Sequence, residues 1–272
     1  MKKRGIAIGV AIGAIVVIFI LIYRSTTFSP QVEYYTEPLS KATILYHRAE
    51  TLSQQGELLR AKTLYKRFLE QYPESNLVNE VKTKLDDVNM RILFSSIPTK
   101  DSTVYKVKPG DTLGKIARRF GTTVELIMKS NGLTDTLIRP GMPLKISKAT
   151  FSILVDKSQN ILMLKADDEV LKTYSVATGA DNCTPTGTFT IINKLENPTW
   201  FKTGAVVPPE SPENILGSRW MGLTIEGYGI HGTTDESSIG KQITAGCIRM
   251  KNKDVEELYA IIPVGAQVTI ID

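Results

Sequence analysis

A chain of 272 residues with 42% apolar content is long enough for two or three small cores and too apolar to read as disordered. Its formal charge of +5 misleads, because Lys2, Lys3, Arg4 and Arg24 supply four of those charges, leaving only +1 after Arg24. That excludes the clustered basic face of a nucleic-acid binder. Two histidines and two cysteines without ligand-like spacing exclude a metal centre and a disulfide framework, and no cofactor is expected.

The segment MKKR precedes nineteen uncharged, almost wholly apolar residues, Gly5 to Tyr23. A helix of ~20 such residues spans the hydrocarbon core of a bilayer. Secretory signals carry a shorter apolar run of ~7–15 residues and a small-residue cleavage point, and the following RSTTFSPQ has no A-x-A pattern. Residues 1–24 are expected to form an uncleaved single-pass anchor in the cytoplasmic membrane; a cleaved signal is the alternative. The basic cluster ahead of the span puts the rest on the extracytoplasmic side, periplasm or cell wall. Gly5, Gly9 and Gly13 fall four apart, a spacing at which two such helices can pack.

Residues 24–38, with two prolines and several Ser/Thr, read as a linker. Over 39–94 the pattern is helical. Leu45, Ala49, Leu52, Ala61, Tyr65 and Pro73 stand at offsets resembling one tetratricopeptide-like repeat, and a third helix starts near Ser75 and Asn76. Leu77, Val81, Leu85, Val88 and Ile92 form its apolar stripe. One repeat cannot bury its own face, so this all-α segment leans on a cap, a neighbour or a protein partner. A spacer holding the later domains off the membrane is one reading and protein docking the other. His47 is expected to be a solvated helix side chain.

After the polar linker IPTKDST, Tyr105 to Ile146 reads strand, helix, helix, strand. PGDT is a turn that caps a helix with Asp111 or Thr112, and Leu113, Ile116, Ala117 and Phe120 are its apolar face. The wording V-x-P-G-D-T-L-x-x-I-A and N-G-L…I-x-P-G-M-P-L-x-I resembles a LysM module, taken over 104–147. Such modules bind N-acetylglucosamine-containing glycans such as peptidoglycan. The resemblance places the groove between a turn holding Gly110, Asp111 and Thr112, up to Leu113, and the loop Leu133–Ile138. A LysM fold without glycan affinity is the alternative.

From Phe151 the chain alternates apolar and polar residues in short runs, with TFTIINK, RWMGLTI and QVTIID as further strand candidates and one helix near Asp254–Ile261. Residues 151–272 thus read as a mostly-β domain with a late helix. The whole is a multidomain chain: membrane helix, helical segment, small βααβ module, mostly-β domain.

HGTTDESSIGKQITAGCIRM, His231 to Met250, holds one histidine and one cysteine of that domain. A free thiol titrates near pH ~8.5, and a nearby imidazole that takes its proton makes it a nucleophile. Glycine beside the cysteine lets backbone N–H groups approach the oxyanion of a tetrahedral intermediate. A structural Cys–His pair is the competing reading.

The stretch GIHGT…SIGKQITAGCIRMKNKDVEEL…IPVGAQVTI, with ATGADNCTPTGTFTI and GSRWMGL upstream, resembles the YkuD-type L,D-transpeptidase catalytic domain. The resemblance implies that Cys247 attacks the carbonyl of the third residue of a peptidoglycan stem peptide and expels D-alanine. His231 would activate the thiol and later deprotonate the acceptor amine. The carbonyl of Gly232 would orient the imidazole, and the amides of Gly246 and Cys247 would hold the oxyanion. Arg249 would shape the pocket or brace a loop by a salt bridge; Thr244 is a candidate for the substrate pocket or a buried turn hydroxyl. Family members often read S/T-H-G-C where this chain has TAGC, which bears on acceptor choice and not on the upstream base. Cys183 is a free thiol or pairs with Cys247. The competing functions are an L,D-carboxypeptidase, with water as acceptor, and a non-catalytic wall-binding scaffold. Expected partners are stem peptides, glycan strands and the membrane.

Overall fold

The structure, a computed structural model, describes residues 40–272 apart from residue 203. The expected membrane span lies outside the described residues. Among the described residues, no helix is long and apolar enough to cross a membrane.

Three helices open the described chain, α1 (Lys41–Gln54), α2 (Leu58–Gln71) and α3 (Val78–Leu93). Ala49 and Ala61 are fully buried and keep α1 and α2 close, with Tyr65 and Phe68 filling the core beside them. Val81, Val88 and Ile92 of α3 close that core, as their spacing predicts, although the helix begins after Leu77 and not at Ser75.

A small module follows, β1 (Ser102–Lys106), α4 (Leu113–Phe120), α5 (Val124–Ser130) and β2 (Pro143–Ser147), with β1 and β2 antiparallel. Thr112, not Asp111, caps α4 by accepting the Lys115 N–H at 3.2 Å, and Thr123 caps α5 from Leu126 at 2.9 Å.

The C-terminal domain contains β3 (Phe151–Asp156), β4 (Ile161–Ala166), β5 (Glu169–Ser175), β6 (Thr178–Gly179), β7 (Gly187–Glu196) and an exposed hairpin, β8 (Trp200–Lys202) and β9 (Ala205–Val207). It continues with β10 (Arg219–Leu223), β11 (Gly229–His231), β12 (Gln242–Thr244), β13 (Ile248–Arg249), α6 (Asn252–Ile261) and β14 (Gln267–Ile271). Eight of these strands form one sheet in the order β13-β11-β10-β7-β14-β3-β4-β5. Its pairs are antiparallel except β11–β13 and β14–β3, while β6 and β12 pair separately. Val255, Leu258 and Ile261 of α6 are fully buried in the sheet's core.

The helical segment is not a spacer standing clear of this sheet. β5 is an edge strand, whose free N–H and C=O groups need partners. α3 supplies them: Asn89 Nδ2 donates to the Leu171 carbonyl at 3.0 Å, and Asp86 accepts the Thr173 N–H at 3.0 Å. Met90 of α3 and Leu126 of α5 enter the sheet domain's own core. The small module is tied down as well. Thr123 Oγ1 donates to the Ala260 carbonyl, Ser130 Oγ to Leu93 at 2.9 Å, and Lys145 Nζ to Ile92 and Ser95 at 2.8 and 2.7 Å.

Candidate active site

His231 ends β11 and is 3% exposed. Its Nδ1 lies 2.7 Å from the Gly232 carbonyl. A carbonyl only accepts, so Nδ1 carries the proton and Nε2 presents a lone pair. The indole of Trp220, His231's partner across the β10–β11 ladder, stacks on the imidazole at 5.9 Å between centroids and 21° between planes. That indole also lies over Gly229, where a Cβ would sit 2.6 Å from Trp220 Cζ2, so a residue without a side chain is required there. Burial outweighs two carbonyls that favour the cation, those of Gly232 and Leu216, and Arg249 adds repulsion. The imidazole is held down to about 4.

Cys247 immediately precedes β13, which runs parallel to β11 with His231 opposite Arg249. Two residues back along the ladder, Cys247 falls beside Gly229. Ladder spacing puts its Cα roughly 8 Å from that of His231. Side chains two apart on a strand share a face, so thiol, imidazole and the Arg249 side chain belong to one side of the sheet. The thiol donates to the Gly227 carbonyl at 3.5 Å. Burial pushes it above its ordinary value, against the Gly229 N–H and the Arg249 guanidinium, which favour the thiolate. At rest both groups are therefore neutral. Arg249 makes no ion pair within 4.0 Å among the described residues, and its Nε is buried without a partner. A salt-bridge brace is therefore ruled out among them, and a positive charge is left beside the thiol.

Residues 150–270 match the YkuD family, described as the L,D-transpeptidase catalytic domain, and 105–147 match the LysM domain. The Bacillus subtilis (strain 168) protein YkuD, named as an L,D-transpeptidase, is 38% identical over 174 residues, 61% of this chain and 97% of that protein. The chain belongs to the YkuD L,D-transpeptidase family. YqjB of the same organism, also named as an L,D-transpeptidase, is 44% identical over 126 residues, 44% of this chain and 70% of that protein. Among solved structures, an L,D-transpeptidase from Mycobacterium smegmatis is similar at 22% identity and a TM-score of 0.38, covering 48% of this chain and 64% of that one.

In this L,D-transpeptidase Thr244, expected in the pocket or as a turn hydroxyl, and Gly246, expected as an oxyanion donor, bond to each other within the loop. Thr244 Oγ1 donates to the Cys247 carbonyl at 2.7 Å and accepts the Gly246 N–H at 3.1 Å. Thr244 is thus a buried turn hydroxyl, the second of the two roles the sequence offered. Gly246 correspondingly has no N–H free for an oxyanion, whereas the Cys247 N–H has no partner among the described residues. Gly246 still needs to be glycine: its φ is +122°, and a Cβ would lie 2.5 Å from Tyr228 Cε1. Thr184, inside the upstream motif, donates to the Gly246 carbonyl at 2.8 Å, and Cys183 Sγ lies 3.8 Å from the Thr244 carbonyl. Both cysteines are free thiols.

Sequence reading missed Asn252. Its Oδ1 accepts the N–H groups of Ser218 and Thr233 at 3.0 and 3.1 Å, clamping the turn that holds His231 and Gly232. A Cβ on Gly232 would overlap that oxygen. Trp220 and Tyr228 were missed as site residues too; the hairpin register of RWMGL against YGIH was the available signal for Trp220.

In the LysM domain, a groove of about 390 Å³ is lined by Asp111, Thr112, Leu113, Thr136, Leu137 and Ile138, among others. Gly110 stands outside it, its carbonyl accepting from Lys115 at 2.8 Å and its φ of +80° shaping the turn. The Asp111 carboxylate is engaged by Tyr105 Oη at 2.7 Å and the Lys108 N–H at 2.8 Å, which hold it below the usual carboxylate range. Asp111 therefore shapes the groove more than it offers free acceptors to it.

Proposed function

We propose that this chain joins peptidoglycan stem peptides by acyl transfer through Cys247. The observation that carries the reading is a buried neutral imidazole, its Nδ1 fixed on the Gly232 carbonyl, one strand from a thiol. Cys247 Sγ attacks the carbonyl of the third stem residue as its proton passes to His231 Nε2. The tetrahedral oxyanion is met by the Cys247 N–H, an interaction worth ~3 kcal/mol where single donors have been removed elsewhere. The C–N bond then breaks, and the imidazolium returns the proton to departing D-alanine, leaving a thioester. An acceptor amine attacks the thioester and gives a proton to His231. The C–S bond breaks, and the thiol is restored. Arg249, lacking an ion-pair partner, is suited to a substrate carboxylate.

The LysM groove takes an N-acetylglucosamine-containing strand and raises the local concentration of stems at the thiol. Residues 5–23 anchor the chain in the cytoplasmic membrane, with both domains on the extracytoplasmic side.

Muropeptide mass spectrometry after incubating sacculi with wild-type chain and Cys247→Ala tests this. New cross-links starting from the third residue, present only with wild type, are expected. Trimmed tripeptides without new cross-links would make water the acceptor and the enzyme a carboxypeptidase. Identical products from the alanine variant would refute the thiol mechanism altogether.

A further inference from the structure

A cavity of about 780 Å³ lies far in sequence from the thiol loop and is lined by all three modules. Leu59 and Ile92 come from the helices, Lys145 and Ser147 from the LysM domain, and Phe151 and Leu171 from the sheet domain. Pockets of this size at domain junctions, mostly apolar with a few polar groups, are where small molecules bind.

Apart from Glu169 Oε1, which has two lysines at ion-pair distance but no hydrogen bond, two polar groups in its lining are under-satisfied. Lys145 is 6% exposed and makes no ion pair within 4.0 Å among the described residues. Its ammonium has three protons, of which the Ile92 and Ser95 carbonyls take two. A buried cation with neither counter-ion nor third acceptor is costly, and desolvation lowers it to about 8. Asn89 is 3% exposed; its Nδ2 is engaged by Leu171, while its Oδ1 has no partner. The remaining charge of the lining also favours an anion, with five basic side chains against three acidic. Lys62 and Lys66 share a single carboxylate oxygen of Glu169 at 2.7 and 2.9 Å, and Glu70 and Asp101 offset Arg67 and Lys100, so the excess is one charge of the lysine pair and Lys145 itself.

A cation with one unshared proton, an unpartnered amide oxygen and an apolar floor suit a ligand that carries a carboxylate, an N–H and an apolar side chain. We propose that this cavity is a second ligand site, which receives the carboxyl-terminal end of a short peptide. The terminal carboxylate meets Lys145 Nζ, the last peptide N–H meets Asn89 Oδ1, and the preceding side chain lies on Leu59, Leu93 and Leu171. The assignment is independent of the thiol mechanism.

The test uses the full chain with N-acetyl-leucyl-alanine, made with either D- or L-alanine, and the corresponding C-terminal amides. Calorimetry reads affinity, and mass spectrometry reads the rate at which acetic anhydride labels Lys145 at pH 8. An anion that raises the Lys145 pKa by one unit, from about 8, cuts the free amine at pH 8 from about half to about one-eleventh, so labelling should slow about fivefold with the carboxylates and not with the amides. Preference for the D form points to wall peptides as the source, and preference for the L form to a protein terminus. Thr63→Trp, an exposed α2 position in the lining, should block the cavity without disturbing the core and abolish both signals. Arg67→Ala should weaken binding roughly 2–5-fold. Equal protection by the amides, unchanged protection in Thr63→Trp, or no binding at millimolar peptide would each overturn the proposal. Cys247→Ala should bind as wild type does, which separates this site from the catalytic one.

Discussion

Lowering the pH from 7 to 4 should weaken the fold by about 3 kcal/mol through His231 alone. The unfolded imidazole titrates near ~6.5, whereas burial between Trp220 and the β11–β13 ladder holds the folded one at about 4. A depressed histidine contributes stability that is fully present above the unfolded value and is lost as the pH falls through the folded one. Between those values the unfolded chain binds a proton that the native chain refuses. A gap of about 2.5 units at ~1.4 kcal/mol each, less the partial protonation of the native state at pH 4, gives the figure. Urea unfolding of wild type and His231→Gln at half-unit steps from pH 7 to 4 isolates the contribution as a difference, since Asp86 and the other carboxyls titrate in both. The stability gap between the two chains should narrow as the pH falls. A gap independent of pH would mean that the imidazole is either solvated or already charged, and the neutral-base mechanism would fail with it.

Three further outcomes are expected. Asn252→Ala leaves two backbone N–H groups without their acceptor; it should destabilise the chain by about 2–4 kcal/mol and reduce kcat by about 100-fold through a displaced imidazole, with KM little changed, as read by melting and steady-state transfer assays. Gly246→Ala forces a side chain onto Tyr228 at a positive φ, so transfer should fall while binding of N-acetylglucosamine oligomers, followed by titration, is untouched. Asp86→Asn keeps an acceptor for Thr173 and removes a carboxyl whose titration burial raises to about 6. A raised carboxyl gains relative stability as the pH falls, so the asparagine chain should be the more stable at pH 7, with the difference shrinking toward pH 5 in the same urea series.

His231 and Cys247 were legible because chemistry and short separation coincide: one imidazole, one thiol and flanking glycines within a single loop-rich stretch. The alternation of β3, β4, β7, β10 and β14 and the stripe of α3 were legible for the same reason, being local periodicities. β6, β8, β9, β12 and β13 are only two or three residues long, too short for a period to show. Asn252 lies just ahead of the expected helix Asp254–Ile261, and nothing in its neighbourhood announces that its oxygen closes a turn around residue 232. Thr244 and Gly246 carry the right residue types, but only the hydroxyl's actual partner tells a loop brace from a pocket wall. Nor does the text of β5 differ from that of an inner strand, which hid the reason the helices dock there.

The bonds of Thr123 to the sheet domain, and of Ser130 and Lys145 to the end of the third helix and Ser95, join the LysM groove to the body that bears the thiol. A polysaccharide seated in that groove would present its pendant stems at its own repeat distance and helical angle, so advancing the strand by one disaccharide exchanges one stem for the next. The polymer's pitch would then set which stem faces the sheet domain, as teeth follow a gear.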